Sequence, residues 1–300
     1  MKVTLDLSQL LEDGKITQEE CERLSALAAK STGSLAFNIL IGFGVIAVSL
    51  ATLALVPAPT TAVVIGLIVM VGGLVLSRSG RDQWAVLANT CILVGALMAG
   101  GGITIEAEGS LISILSVTAI FAVASILAQS TLLAALATLM LSASIGARTG
   151  YFHASYLLVI QEPVITVILF SILSIGLFQL SKTLSAGYER IAIASSRTGV
   201  FLVNFGLWVG SLWGDRSASI PDTAFALIWA IALVALAIWA WLRNRRWVLN
   251  ISAVFGGIHF YTQWFENLGA SPGTVLVAGL LALGFAVGLK SINTKMKATA

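Results

Sequence analysis

Two ionisable residues, Glu162 and His259, lie within long apolar stretches of the sequence. An ionisable group is costly to place in hydrocarbon, so such a residue is a candidate for binding a cation or a small polar solute. Glu162 belongs to Gln161-Glu162-Pro163, inside a predicted membrane span over 157–180. A rise of 1.5 Å per residue places it roughly 8 Å below the external end of that span. If the helix instead starts near Val164, Glu162 is a loop residue.

His259 is part of a second polar run, residues 256–266, in a predicted span over 247–265. His259 and Gln263 are four residues apart and share one helix face. A polar stripe on a membrane helix usually faces the interior of the bundle. The stripe predicts either a water-filled site or a buried histidine that is hydrogen-bonded to a neighbouring helix. The candidate substrate-binding residues are Glu162, His259, Gln161, Gln263 and Tyr261.

The loops predicted on the external side are acidic. Glu106, Glu108 and Glu266 would form an external vestibule that attracts cations. The alternative is that acidic residues simply collect on the side from which basic residues are excluded.

The composition excludes a soluble or disordered chain. Hydrophobic residues make up 58% of the 300 residues, charged residues make up 10%, and the mean hydropathy is +0.96. An average soluble domain has roughly 25% charged residues, and disorder requires low hydrophobicity. A net charge of +3 in such a chain does not indicate nucleic-acid binding, since basic residues mark cytoplasmic loops in membrane proteins. The two cysteines have no metal-ligand spacing, and no catalytic or cofactor motif is present, so we expect neither a metal nor a cofactor.

The predicted fold is an all-α polytopic bundle that occupies residues 35–290, with a cytoplasmic tail at 291–300. A crossing requires about 20 apolar residues. An even number of spans keeps 15 of the 17 basic residues on one side, which predicts that both termini are cytoplasmic in a bacterial inner membrane. The long apolar run from 110 to 147 is divided at Gln129 and Ser130. The ten predicted spans are 35–56, 60–77, 84–104, 110–128, 131–147, 157–180, 198–213, 222–242, 247–265 and 272–289.

Residues 1–34 are polar and predict a cytoplasmic helical hairpin. Gly14 is a suitable stop for a first helix over about 5–12. Thr17 and Glu20 have the spacing of a capping box at the start of a second helix. The hairpin is either an inert folded element or a docking site for a partner.

The chain resembles a bacterial membrane family known as domain of unknown function 2157. The likeness rests on Leu10-Leu11-Glu12-Asp13-Gly14-Lys15-Ile16-Thr17-Gln18-Glu19-Glu20-Cys21, on Tyr261-Thr262-Gln263-Trp264-Phe265-Glu266-Asn267-Leu268-Gly269 and on a glycine-rich last span. The resemblance implies a ten-helix membrane topology and no particular activity.

Three functions are compatible with these patterns. The first is a small-solute transporter or permease with an outward-facing polar cavity. It is supported by the intramembrane acid and histidine and by a weak parallel repeat that relates residues 33–44 to 199–210. The second is a non-enzymatic scaffold or regulatory subunit that docks a cytoplasmic protein, with a second copy or another membrane protein as its partner. The third is a lipid-modifying enzyme that uses His153, Arg148 and Glu106, although no spacing supports it.

Overall fold

The computed structural model describes residues 7–79, 84–152 and 155–295. It divides into two compact units, Met1–Leu133 and Ala134–Ala300. Over the described residues the chain is helical apart from one two-stranded antiparallel sheet. The elements are α1 Leu7–Glu12, α2 Gln18–Leu55, α3 Pro59–Ser77, α4 Ala85–Glu106, α5 Leu111–Ala128, α6 Thr131–Ala143, β1 Ala147–Phe152, β2 Ser155–Ile160, α7 Pro163–Ser181, α8 Ala186–Trp213, α9 Asp222–Leu242, α10 Arg246–Leu268 and α11 Pro272–Lys295.

Seven helices among the described residues are long and apolar enough to cross a bilayer: α3, α4, α5, α7, α8, α9 and α11. The chain is therefore an integral membrane protein. Three further predicted spans fall short of the same criterion. The apolar part of α2 covers only Leu40–Leu55, and α6 has 13 residues, or about 20 Å against a hydrocarbon core of about 30 Å. Polar side chains lower the mean hydropathy of α10. A count of ten spans thus stays a prediction.

The predicted break between 110–128 and 131–147 is confirmed. Helix α5 ends at Ala128, and Gln129 adopts a left-handed conformation with φ of 50° while its backbone N–H donates to the Ser125 carbonyl. Helix α6 then begins at Thr131. A left-handed residue ends a helix because its carbonyl and N–H no longer follow the helical direction.

The predicted helical span over 157–180 is wrong in its first part. Residues 155–160 form strand β2, which pairs antiparallel with β1 in a register that matches Ala147 with Ile160 and Phe152 with Ser155. Helix α7 begins only at Pro163, which occupies the first helical position, where its missing N–H carries no penalty. A short apolar run is compatible with either a strand or a helix, and hydropathy alone does not separate the two. The expectation of an entirely α-helical chain is therefore incomplete.

The amino-terminal helices have the predicted local signals. Gly14 has φ of +65°, and the capping box is present, since Thr17 Oγ1 accepts from Glu20 N and Glu20 Oε2 accepts from Thr17 N. Helix α2 then continues without interruption to Leu55. The predicted boundary at residue 34 therefore lies inside a continuous helix that joins the polar amino-terminal segment to the apolar one.

In the first unit, α3 and α4 pack backbone to backbone through glycines on both helices. A Cβ added to Gly73 would lie 2.8 Å from the Ala88 carbonyl oxygen, and one added to Gly102 would lie 2.6 Å from the Pro59 carbonyl oxygen. Gly66 and Gly95 face each other's helices in the same way. Small residues allow membrane helices to approach this closely. Such close packing is important in lipid because the apolar solvent supplies no hydrophobic driving force between helices.

The second unit packs α7, α8, α9 and α10 around Trp229. The Trp229 side chain has no exposed surface and belongs to a core cluster with Leu207, Phe225 and Phe255. Helix α7 lies against the small residues of α8, where the Ser196 hydroxyl donates to the Ser174 carbonyl at 2.9 Å. This packing holds α10 with its polar stripe turned toward α8 and α9.

Candidate functional site

Glu162 lies at the N-cap of α7 and not five residues inside a span as predicted. Its Oε2 atom accepts a hydrogen bond from the Ser217 hydroxyl at 2.6 Å. The same hydroxyl lies 2.6 Å from Oδ1 of Asp215. Ser217 and Asp215 belong to the α8–α9 loop, which a bridge between Asp215 and Ile220 closes into a tight turn. The structure thus brings two carboxylates and one hydroxyl together at the start of α7.

Asp215 caps α7 from another part of the chain. Its Oδ2 accepts from the Val164 backbone N–H at 3.0 Å, and its Oδ1 accepts from the Ala218 N–H at 3.0 Å. Only 2% of the residue is exposed. Burial by itself raises the pKa of the Asp215 carboxyl, but hydrogen bonds from the Ser217 hydroxyl and from backbone N–H groups outweigh it and lower the pKa. The ionised carboxylate is therefore the form that this loop stabilises.

The Ser217 hydroxyl has a single proton to share between two carboxylates. Both oxygen–oxygen distances are 2.6 Å, which is in the range of a charge-assisted O–H···O hydrogen bond. One proton can be donated to only one of the two acceptors. The cluster therefore concentrates negative charge at one end of α7.

His259 lies in the middle of α10, and its ring packs edge-on against Trp229 of α9 with 4.9 Å between ring centroids. Trp229 donates from Nε1 to Oδ1 of Asn204 on α8 at 3.0 Å. Asn204 thus accepts a hydrogen bond from another helix through Oδ1, while its Nδ2 donates to the Val200 carbonyl in its own helix. Nδ1 of His259 is buried and has no hydrogen-bond partner in the structure. The structure therefore does not show the alternative of a buried histidine that is hydrogen-bonded to a neighbouring helix through Nδ1.

Two further polar groups lie on the same face of α10. The Ser252 hydroxyl, in a residue with 4% exposure, is also buried without a partner. One turn beyond His259, the Thr262 hydroxyl accepts from Trp208 Nε1 at 2.9 Å. His259 and Thr262 of α10 therefore face α9 and α8, respectively. We call Asn204, Trp229, Ser252, His259 and Thr262 the polar seam.

The other three predicted binding residues have different surroundings. Gln161 is exposed and lies against Gly146 beside the start of β1. Tyr261 is on the α11 side of α10, where its hydroxyl donates to the Ala278 carbonyl at 3.5 Å. The Gln263 carbonyl accepts from Asn267 Nδ2 at 2.8 Å. Glu162 contacts the α8–α9 loop, whereas His259 contacts α9. Glu162 and His259 therefore have different neighbours.

The predicted acidic vestibule draws on both units. Glu106 ends α4 and borders a shallow apolar depression of about 350 Å³ beside α3, and Glu108 follows in the turn before α5. Both belong to the first unit, whereas the exposed Glu266 of α10 belongs to the second. The vestibule stays a prediction. His153 of the predicted lipid-enzyme constellation lies outside the described residues.

Ser217 is a functional candidate that sequence reasoning missed, and the contact of Asp215 with α7 was not predicted either. The available signal was Gly214-Asp215-Arg216-Ser217, a run of turn-forming residues between two spans in which Asp and Ser commonly bond to nearby backbone groups. That signal predicts a turn but not its contact with α7, which is 51 residues away. Within the described part of the chain, no group of three or more His, Cys, Asp or Glu side chains could hold a metal ion.

No family model, no curated protein and no solved structure matches this chain.

Proposed function

We propose that this protein is a transporter or permease that moves a small polar solute or cation across the membrane through the polar seam of α8, α9 and α10. The observation that carries the proposal is the buried, unpartnered Nδ1 of His259 within a membrane-embedded bundle. Buried polar atoms are nearly always hydrogen-bonded, and an exception calls for a missing partner such as water or a ligand.

The neighbours of His259 support this role. The Ser252 hydroxyl also lacks a partner, so one face of α10 presents two unused hydrogen-bonding groups about 10 Å apart at 1.5 Å per residue. A solute or a file of water molecules that passes along this face would satisfy both groups. The remaining seam residues are already bonded across helices, which holds the face in position.

The Glu162–Asp215–Ser217 cluster supports the same function at the entry to the bundle. Its excess negative charge at the start of α7 favours cations over anions near this end of the helix bundle. In our proposal this end is external, the termini are cytoplasmic, and the membrane is the bacterial inner membrane. Membership of the family known as domain of unknown function 2157, and the absence of enzymatic activity, are part of the same proposal.

Flux into proteoliposomes tests the proposal. Vesicles that contain the purified full-length protein are loaded with pyranine and given a potassium gradient, and osmotic swelling in glycerol and in urea is recorded in parallel. We expect a rate above that of empty vesicles for at least one probe, with a loss of 10-fold or more in His259→Ala. Asn267→Ala, at the exposed end of the same helix, is the matched control.

Glu162→Gln separates the two parts of the site. If Glu162 attracts cations, this variant lowers potassium-dependent flux and leaves the swelling rates in neutral solutes unchanged. Flux that is equal in wild type, His259→Ala and Glu162→Gln would contradict the site assignment. Rates equal to those of empty vesicles for every probe would count against transport of these solutes.

A scaffold or regulatory subunit is the second candidate function, and the continuity of α2 favours it. The polar segment at 13–20 is largely exposed, and the same helix runs on into the apolar residues 40–55. A partner bound to the amino-terminal helices would therefore be coupled rigidly to the membrane region. Deletion of residues 1–30 followed by a pull-down tests this function, and retention of every partner by the truncated chain would contradict it.

A further inference from the structure

A groove of about 600 Å³ runs between α10 and α11 in the second unit. Its volume lies within the range of small-molecule binding sites, which is about 300–1,000 Å³. The groove is lined almost entirely by apolar residues of the two helices. It lies on the side of α10 that carries Tyr261 and is distinct from the polar seam, because Phe260 and Tyr261 line it whereas His259 does not.

The glycines of the groove create its volume. Gly256 and Gly257 on α10 and Gly284 and Gly288 on α11 all line it, and a Cβ added at any of the four would meet no atom within 4 Å. Gly256 and Gly257 therefore do not mark a close approach of neighbouring helices in this unit. The absence of side chains at these glycines leaves the groove between the helices open. Gly73 in the first unit differs, because a Cβ there would clash with backbone atoms.

The two helices touch at both ends of this groove. Toward one end, the rings of Phe260 and Phe285 meet edge-on with 5.9 Å between centroids, and Trp264 Nε1 donates to the Thr274 carbonyl. Toward the other end, Leu289 packs on the cluster that contains Leu249. The packing of the two helices therefore keeps the groove between these contacts open.

Basic residues flank the Leu249–Leu289 end of the groove. Arg246 is the first residue of α10 and shares a helix face with Leu249, and Lys290 directly follows Leu289 on α11. Both residues are exposed. An apolar channel that opens beside two cationic side chains is complementary to a molecule with an apolar chain and an anionic head. Basic pockets between membrane helices bind anionic lipid head groups for this reason.

We propose that the α10–α11 groove is a binding site for an anionic phospholipid, with an acyl chain along the glycine floor and the phosphate beside Arg246 and Lys290. The site is independent of the transport proposal, because it uses a different face of α10 and needs no flux. A bound lipid covers part of α11, which is otherwise exposed along most of its length.

Native mass spectrometry of the full-length protein in detergent tests this site, with phosphatidylglycerol and phosphatidylcholine of identical acyl chains as probes. We expect one phosphatidylglycerol to be retained in preference to phosphatidylcholine. Arg246→Gln with Lys290→Gln should remove this preference, by roughly 25-fold in affinity if each basic residue contributes about 5-fold. Arg78→Gln with Lys182→Gln is the charge-matched control and should leave the preference unchanged.

Leucines placed in the groove test the acyl-chain part of the site. Gly284→Leu with Gly288→Leu should lower the retention of both lipids, because the new side chains fill the channel. Gly176→Leu on α7 is the control, since its added side chain also meets no atom within 4 Å and does not line the groove. A circular dichroism melt of each variant distinguishes an occluded groove from a misfolded chain.

Two results would overturn the proposal. The first is phosphatidylglycerol retention that is unchanged in both the glutamine pair and the leucine pair while these variants remain folded. The second is a dimer of the wild-type chain that carries no bound lipid and dissociates in Gly284→Leu with Gly288→Leu, because the groove would then be occupied by a second copy.

Discussion

Replacement of Asp215 by Asn is the sharpest test of how the α8–α9 loop is tied to α7. The carboxylate accepts from the Val164 N–H through Oδ2 and from the Ala218 N–H through Oδ1, both at 3.0 Å. An amide keeps one of these acceptors and presents an NH₂ donor to the other N–H. The backbone N–H of either Val164 or Ala218 therefore loses its acceptor, depending on which way the amide is turned.

The expected loss follows from those contacts. A hydrogen bond to a charged group contributes about 1.5–3 kcal/mol. We therefore expect Asp215→Asn to cost about 2 kcal/mol, which lowers the Tm by about 6 °C for a unit of this size. The control is Asp222→Asn, since Asp222 is exposed and its Oδ1 bonds only to the adjacent Thr223 N–H, a role that Asn fulfils nearly as well.

The pH dependence gives an independent check. Because the folded pKa of Asp215 is lowered, its stabilisation is fully present above the unfolded value of about 3.9 and is lost as the pH falls through the folded pKa. The Tm difference between wild type and Asp215→Asn should therefore be constant from pH 5 to 8 and shrink in stronger acid.

Thermal unfolding in detergent measures the Tm values, and hydrogen–deuterium exchange of a peptide that contains Val164 reports the bond directly. We expect faster exchange at Val164 or at Ala218 in Asp215→Asn, depending on which N–H keeps the amide oxygen, and no change at either residue in Asp222→Asn. Exchange rates that are unchanged at both residues, or a Tm difference that grows as the pH falls below 4, would refute the reasoning.

Three further tests probe the rest of the molecule. Gly73→Ala should cost about 1–3 kcal/mol, because its Cβ would lie 2.8 Å from Ala88 O and Ile92 N, whereas Gly72→Ala should be nearly neutral in the same thermal assay. Asn204→Leu leaves the buried Trp229 Nε1 without an acceptor and should lower the stability by about 1–2 kcal/mol. If Asn204→Leu lowers the stability equally in the wild type and in Trp229→Phe, the bond contributes nothing. Reporter fusions after Lys182 and after residue 300 should lie on the same side of the membrane, and opposite sides would exclude the predicted topology.

Composition and hydropathy were sufficient to establish membrane insertion and most helix positions. A chain with 10% charged residues has no polar surface to present to water, so its apolar segments must enter the bilayer as helices. Local signals also located several helix ends, as Thr17 with Glu20 and the break at Gln129 demonstrate. Such signals are readable because the partner atoms lie within four residues along the chain.

Tertiary structure alone decided where the candidate chemistry lies. Glu162 was misplaced because the apolar run 155–160 is compatible with a strand as well as a helix, and only its pairing with β1 makes it a strand. The partners of Glu162 and His259 are Ser217 and Trp229, which are distant in sequence and become neighbours only when the helices pack. The same holds for glycine: packing against α4 makes Gly73 a close contact, while the spacing of α10 and α11 leaves Gly284 facing an open groove.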